Sequence, residues 1–469
     1  MDVSGRSTLS RRDLLQTASA AAAFTIVPAS VLGGPGKTPP SQRTTIAGIG
    51  VGGQGLQNMA AFQQIPTAQV VAVCDVVREA GGYISWNWNQ GKERQAAGRE
   101  PSRKYIDAAY AKDKPGGTYR GCKAYCDYRE LLEKEDADAV MVATPDHNHA
   151  VITLAALKRK KHVYCEKPLT YTVEEARKVA EAAREAGVAT QLGNHGQASE
   201  EARVTCELIW DGAIGPVREV HVWSPARFWA PAMFDGRPPA APVPDGVDWD
   251  LWLGVAPERP YSPEYLPWMW RNWWDFGTGL LGDLGCHKLS TVFKALKLGS
   301  PVSVEASSTR DNGETYPMGV IARFEFPARG DLPPVSLQWY DGGLRPPRPA
   351  ELEPGRYQGD TLYVGEKGKM MGHRLIPESA MKAARRPPKS LPRSPGHYEE
   401  FVIACRGGVP AGANFPDHAG LLTETCQLGN IGVRCPGQVL KWDGAAFKFT
   451  NSDRANKLLS REYRKGWEL

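Results

Sequence analysis

The loop Gly50-Val51-Gly52-Gly53-Gln54-Gly55 is suited to chemistry because it carries so few side chains. Its backbone N–H groups can approach a pyrophosphate, which then rests on the positive end of the helix that follows. Asp75, twenty residues beyond Gly55, supplies a carboxylate that accepts hydrogen bonds from the ribose hydroxyls of an adenosine. Glycines alone make only a turn. Gly50, Gly52, Gly53 and Gly55 together with Asp75 describe a dinucleotide site. The carboxylate repels a 2′-phosphate and so favours NAD, while Arg78 nearby leaves NADP open. Three further segments carry reactive side chains. Ala143-Thr144-Pro145-Asp146-His147-Asn148-His149 and Glu166-Lys167-Pro168 each end a short apolar run. In Gly279-Leu280-Leu281-Gly282-Asp283-Leu284-Gly285-Cys286-His287, Asp283 and His287 stand four apart and share a face if the segment is helical.

Positioning these groups requires alternating strands and helices. Residues 44–49, 68–74, 137–143, 162–165 and 189–192 read as short apolar strands, and 56–62, 128–135, 149–158 and 173–186 as helices between them. That alternation predicts a doubly wound parallel sheet, an α/β Rossmann domain, with Thr144, Pro145, Glu166 and Lys167 at strand ends that meet the cofactor. His149 and the run Asn194-His195-Gly196-Gln197 also follow strand ends, where polar residues either contact nicotinamide or substrate or are simply solvated. Residues 78–121, with Trp86-Asn87-Trp88, read as an insertion holding a helix near 102–111. Beyond 302 the pattern changes to strands at 302–325, 335–340 and 361–370, then a helix at 420–432. The Pro, Lys and Arg-rich stretch 376–395 either wraps a partner subunit or covers the cleft, and 451–469 is expected at the surface.

The chain of 469 residues begins with Arg6, Arg11 and Arg12, then an apolar stretch from Ala18 to Leu32, then a Gly and Pro-rich linker. The stretch is too short to span a bilayer, and the paired arginines before a mild apolar core predict a twin-arginine signal over 1–41, with export to the periplasm. The formal net charge of +5 and the scattered basic residues give no nucleic-acid footprint. Nine cysteines at irregular spacing imply neither a disulfide framework nor a metal centre.

The glycine loop, Glu166-Lys167-Pro168 and Asp283-x-x-x-His287 in combination resemble the glucose-fructose oxidoreductase and inositol dehydrogenase family, Gfo/Idh/MocA. The resemblance covers the whole chain after the leader. It implies a nucleotide-binding domain at 42–190 and a substrate-binding and oligomerisation domain at 191–469. The second domain is expected to be α+β, with a large, open, mostly antiparallel sheet that supports a dimer or tetramer. It also implies a catalytic set of Lys167, Asp283 and His287. Many members carry His-x-x-Asp, but here the last position is Ser290, which puts the usual polyol specificity in doubt.

Oxidation of a secondary alcohol needs a base for the hydroxyl proton while hydride leaves the carbon. His287 has the right ordinary pKa for that base, Asp283 can orient it, and Lys167 places a charge beside the developing alkoxide. Within Trp268-Met269-Trp270-Arg271-Asn272-Trp273-Trp274, flat indoles suit a sugar ring, so Trp270, Trp274 and Arg271 join His195 and Gln197 as expected substrate contacts; domain core is the competing role for the aromatics. The expectation is an exported oxidoreductase of a sugar, polyol or glycoside with retained NAD. Two alternatives stand beside it. One is an NAD-dependent glycoside hydrolase or lyase that oxidises, eliminates and re-reduces; the other is a non-catalytic carbohydrate-binding relative.

Overall fold

Strands β1 (Thr44–Ile49), β2 (Ala68–Cys74), β5 (Lys123–Tyr125), β6 (Ala139–Val142), β7 (His162–Cys165) and β8 (Thr190–Leu192) form a parallel sheet in the order β5-β2-β1-β6-β7-β8. They are seen in a computed structural model that describes residues 38–84, 94–112, 114, 116–224 and 236–468. The expected leader therefore lies almost wholly outside the described residues, as does Trp86-Asn87-Trp88. Thr38–Arg43 belongs to a separate N-terminal unit, where the Arg43 guanidinium donates to the Thr38 carbonyl at 2.9 Å.

Every residue of β6 is buried, as expected for a central parallel strand covered on both faces. The covering helices are α1 (Gly53–Gln63), α2 (Arg99–Ala111), α3 (Tyr128–Lys134), α4 (His149–Lys158) and α5 (Val173–Ala186). The bounds of α5 follow from its ends. Thr172 and Glu175 form a reciprocal capping box, and Gly187 at φ +64° stops the helix in the left-handed region. The insertion after β2 contains more than the expected helix: an antiparallel hairpin, β3 (Ala80–Ile84) and β4 (Arg94–Ala97), precedes α2.

The second sheet has nine strands. These are β9 (Val217–Trp223), β10 (Ser303–Ser308), β11 (Val320–Phe326), β12 (Val335–Tyr340), β13 (Thr361–Gly365), β14 (Lys369–Met371), β15 (Arg374–Ile376), β16 (Leu440–Asp443) and β17 (Lys448–Phe449), in the order β15-β14-β13-β9-β12-β11-β10-β16-β17. Only β9 and β12 pair in parallel. Burial alternates along β10 and β11, so one face points to the core and the other away from it. Helices α6 (Glu200–Trp210), α7 (Trp249–Leu253), α8 (Gly279–Asp283), α9 (Gly285–Leu296), α10 (His397–Cys405) and α11 (Gly420–Arg434) lie in this part of the chain, with short helical turns at Glu378–Ala383 and Asp453–Asn456.

α11 is buried along nearly its whole length, and Gly429 explains its close approach to the sheet: a Cβ there would lie 2.7 Å from Phe324. The stretch 376–395 is tied down within this chain, because Arg393 pairs with Glu200 and Glu207 of α6. α10 returns to the first sheet and buries Phe401 and Val402 with Ile46, Val70 and Tyr164. Among the described residues no helix is long and apolar enough to cross a membrane.

Candidate functional site

A cleft of about 420 Å³ opens at the C-terminal ends of β1, β2, β6 and β7, where a doubly wound sheet binds its ligands. Its floor is the glycine loop. Gly50 has φ +79°, and a Cβ there would lie 2.5 Å from the Thr144 amide; one on Gly55 would lie 1.8 Å from the Gly50 carbonyl oxygen. Side chains at Gly52 and Gly53 would strike the Tyr83 ring at 2.6 Å and the Ile84 carbonyl oxygen at 2.8 Å. Ser102 Oγ fixes the loop by donating to the Val51 carbonyl at 2.8 Å. Asp75, buried at the end of β2, accepts a hydrogen bond from the Val77 amide at 2.8 Å and faces the cleft. Burial pushes its carboxyl up to about 6, against the lowering effect of that amide. A glycine cradle with a carboxylate at the next strand end fits a dinucleotide.

At the other end of the cleft, Lys167 and Asp283 form an ion pair, with the Arg271 Nε 3.8 Å from Asp283 Oδ2. Burial works against charge on both groups of the pair. Each overcomes that penalty for the other, so Lys167 titrates above its ordinary range and Asp283 below it. Arg271 is held between two indoles, its guanidinium 4.0 Å from the Trp268 ring centre and 4.1 Å from that of Trp270. Glu166 accepts from Asn58 Nδ2 at 2.9 Å, and Gly193 leaves it room, since a Cβ there would lie 2.5 Å from its carboxylate.

His287 lines the same cleft as Asp283, as their spacing predicts, and Leu284 between them keeps right-handed helical dihedrals. α8 ends at Asp283 and α9 starts at Gly285, and Asp283 is engaged by Lys167 and Arg271. Burial and the Lys167 charge push the His287 imidazole down to about 3, so it is neutral at ordinary pH and does not sit near its unperturbed value. His195, also lowered by burial, faces the cleft with its Nε2 3.2 Å from the Tyr164 hydroxyl and 3.3 Å from that of Tyr398.

Thr144, Pro145, Glu166, Lys167, His195, Trp270 and Arg271 all reach the cleft. Four expected residues lie behind it. His149 is buried with its ring nitrogens 2.7 Å from the Pro168 carbonyl and 2.8 Å from that of Thr144. Two acceptors require two N–H donors. Burial opposes the charge, but Cys165, Asp146 and the Pro168 carbonyl outweigh it and bring the ring up to about 10. His149 thus braces the two cleft loops from below. Asn194 donates to Ser290 Oγ at 2.9 Å, which lies 2.9 Å from His418 Nε2, so Ser290 joins a buried chain and not the cleft wall. Gln197 is turned away to Glu400 at 2.8 Å. Trp274 faces a separate cavity, packed on Tyr316 and under Arg434, whereas Trp268 and Trp270 line the cleft and Trp273 is buried with Trp270.

Sequence reasoning missed Tyr83, Asn58 and Trp467, all close to the cleft or its polar wall. Tyr83 carried a weak signal, a β-prone pair after two glycines. Trp467, which packs on Tyr128, carried none, since only the tertiary fold brings the tail back. Among the described residues no group of His, Cys, Asp and Glu is placed to hold a metal ion.

A parallel sheet with a glycine cradle, joined to a second part whose helices and turn between β9 and β10 bring Arg271, Asp283 and His287 to the same cleft, defines a two-part dinucleotide-binding protein. A family model described as "Oxidoreductase family, NAD-binding Rossmann fold" matches residues 44–194, and its partner "Oxidoreductase family, C-terminal alpha/beta domain" matches 212–325. The chain belongs to the Gfo/Idh/MocA oxidoreductase family, and its first sheet is the family's NAD-binding unit. It is 41% identical over 108 residues to 1,5-anhydro-D-fructose reductase of Ensifer adhaerens, covering 23% of this chain and 31% of that one. It is 29% identical over 178 residues to inositol 2-dehydrogenase of Rubrobacter xylanophilus, covering 37% and 42%. The matches thus span less than half of either relative. The fold is shared with the WlbA dehydrogenase from Bordetella pertussis, solved in complex with NADH and UDP-GlcNAcA, at TM-score 0.54 and 16% identity over 86% of this chain and 99% of that one.

Proposed function

We propose that the protein is an NAD-dependent oxidoreductase acting on a CH–OH group of a sugar or polyol. The observation that carries this reading is the Lys167–Asp283 pair at the far end of a cleft whose near end is a glycine cradle. The relatives named as an anhydrofructose reductase and an inositol dehydrogenase support the carbohydrate class. When bound, NAD supplies the hydride acceptor. Lys167, kept charged by Asp283, stabilises negative charge on the substrate oxygen. His287, kept neutral, takes the hydroxyl proton on its imidazole. Trp270 and the indole-held Arg271, both lining the cleft, orient the ring.

The leader supports export through the twin-arginine route, which carries proteins already folded. An enzyme sent away from the soluble nicotinamide pool is served by a cofactor that stays bound and is re-oxidised in place by reduction of a second carbonyl compound, and the open face of the second sheet suits assembly into a dimer or tetramer. The test is an assay of the purified protein with neutral sugars, polyols and glycosides, read for NADH and for products. Reduction of the bound NAD to NADH by a sugar or polyol alone, lost in Lys167→Ala, supports the proposal. Cleavage of a glycoside with no net NADH moves the reading to the internal redox cycle, and undiminished turnover in Lys167→Ala sinks it.

A further inference from the structure

The hairpin β3–β4 has no place in the parallel sheet, yet it is fixed over the most nucleotide-specific part of the cleft. The Tyr83 ring lies against Gly52 and the Ile84 carbonyl against Gly53, so the hairpin covers the two central glycines of the cradle. Its base is held on both sides. Gly98, at φ +118°, brings α2 back so that the Arg99 guanidinium donates to the Asp75 carbonyl at 3.0 Å and Ser102 reaches Val51. From the opposite wall, the Arg78 amide donates to the Gly246 carbonyl at 2.7 Å and the Asp248 amide to that of Val76 at 3.0 Å. Tyr83 and Asp75 line the same space. Burial and the nearby Asp75 carboxylate keep the phenol protonated, as a hydrogen-bond donor.

We propose that Tyr83 is a cofactor-retaining residue, its ring and hydroxyl closing the glycine cradle beside Asp75 so that NAD leaves slowly and serves as a resident group. This rests on the oxidoreductase reading and adds a residue outside the glycine loop to its binding site. A cradle open to solvent holds a dinucleotide through backbone amides and the Asp75 carboxylate, whereas a ring over the loop must move aside before the ligand departs. The effect therefore falls on the dissociation rate.

The test loads wild type, Tyr83→Phe and Tyr83→Ala with isotope-labelled NAD, chases with excess unlabelled NAD, and follows the retained label by mass spectrometry. The melting temperature of each cofactor-free protein is measured alongside. Tyr83→Ala is expected to lose label about tenfold faster, the factor carried by one buried ring contact, with Tyr83→Phe between it and wild type. Label loss from Tyr83→Ala at the wild-type rate, with unchanged melting, overturns the proposal. A wild-type protein that neither carries NAD as purified nor takes it up overturns the oxidoreductase reading instead. Should Tyr83→Ala not fold, Tyr83→Leu, which refills the space over Gly52 without ring or hydroxyl, is measured in its place and read in the same way.

Discussion

The two ends of the cleft are built by opposite means. At the nucleotide end the decisive feature is absence, since Gly50, Gly52, Gly53 and Gly55 have no side chains and their neighbours stand where Cβ atoms would be. At the other end the decisive feature is charge balance, with Lys167 and Asp283 each holding the other ionised despite burial. A site defined by shape tolerates no added atom. A site defined by charge tolerates changes of shape better than the loss of one partner.

The largest way to break this contrast is Lys167→Ala. Turnover is expected to fall on the order of 10³-fold, as when a group that stabilises developing charge is removed, while NAD content in the purified protein stays unchanged. Loss of NAD together with turnover would show that the two ends are not separable. Gly55→Ala is the matching change at the shape-defined end. It forces a methyl against the Gly50 carbonyl and is expected to cost about 3 kcal/mol of stability by thermal melting, and to abolish NAD uptake. His149→Ala leaves the Thr144 and Pro168 carbonyls without their donor and is expected to cost about 2 kcal/mol, with turnover falling although no cleft contact is removed.

The smallest effect is a pH window. Asp75 titrates at about 6 in the folded protein against an ordinary 3.8, so the folded form takes up its proton first. The cofactor-free protein therefore gains stability from this group as pH falls from about 6 toward 4. NAD binding draws on the ionised carboxylate and weakens over the same interval. Calorimetric titrations at several pH values, compared with Asp75→Asn, measure both trends; a flat NAD affinity across the window would remove Asp75 from the ribose contact.

Local patterns made the first sheet legible. Val173–Ala186 is a helix with the expected bounds because its capping box and terminal glycine are written in the sequence, and β1, β2 and β7 follow from short apolar runs. The glycine loop and the strand-end groups could be located for the same reason. What remained hidden depends on contacts between distant segments. Whether His149 points into the cleft or under it is decided by carbonyls at Thr144 and Pro168, and the place of Trp274 by its packing on Tyr316 and Arg434. Asp283 and His287 face one cleft as their spacing of four predicted, because Leu284 between α8 and α9 stays in the right-handed helical region.

The return of α10 and Trp467 to the first sheet has a consequence for biosynthesis. As the chain leaves the ribosome, residues 44–192 emerge first and contain every strand of the parallel sheet. They cannot complete its core until Phe401 and Val402 arrive, nor the wall beside Tyr128 until Trp467 does. The nucleotide half must wait, partly unpacked, through the synthesis of more than two hundred later residues. Ligand capture is thus a late event, and a chain released early leaves its cleft unfinished.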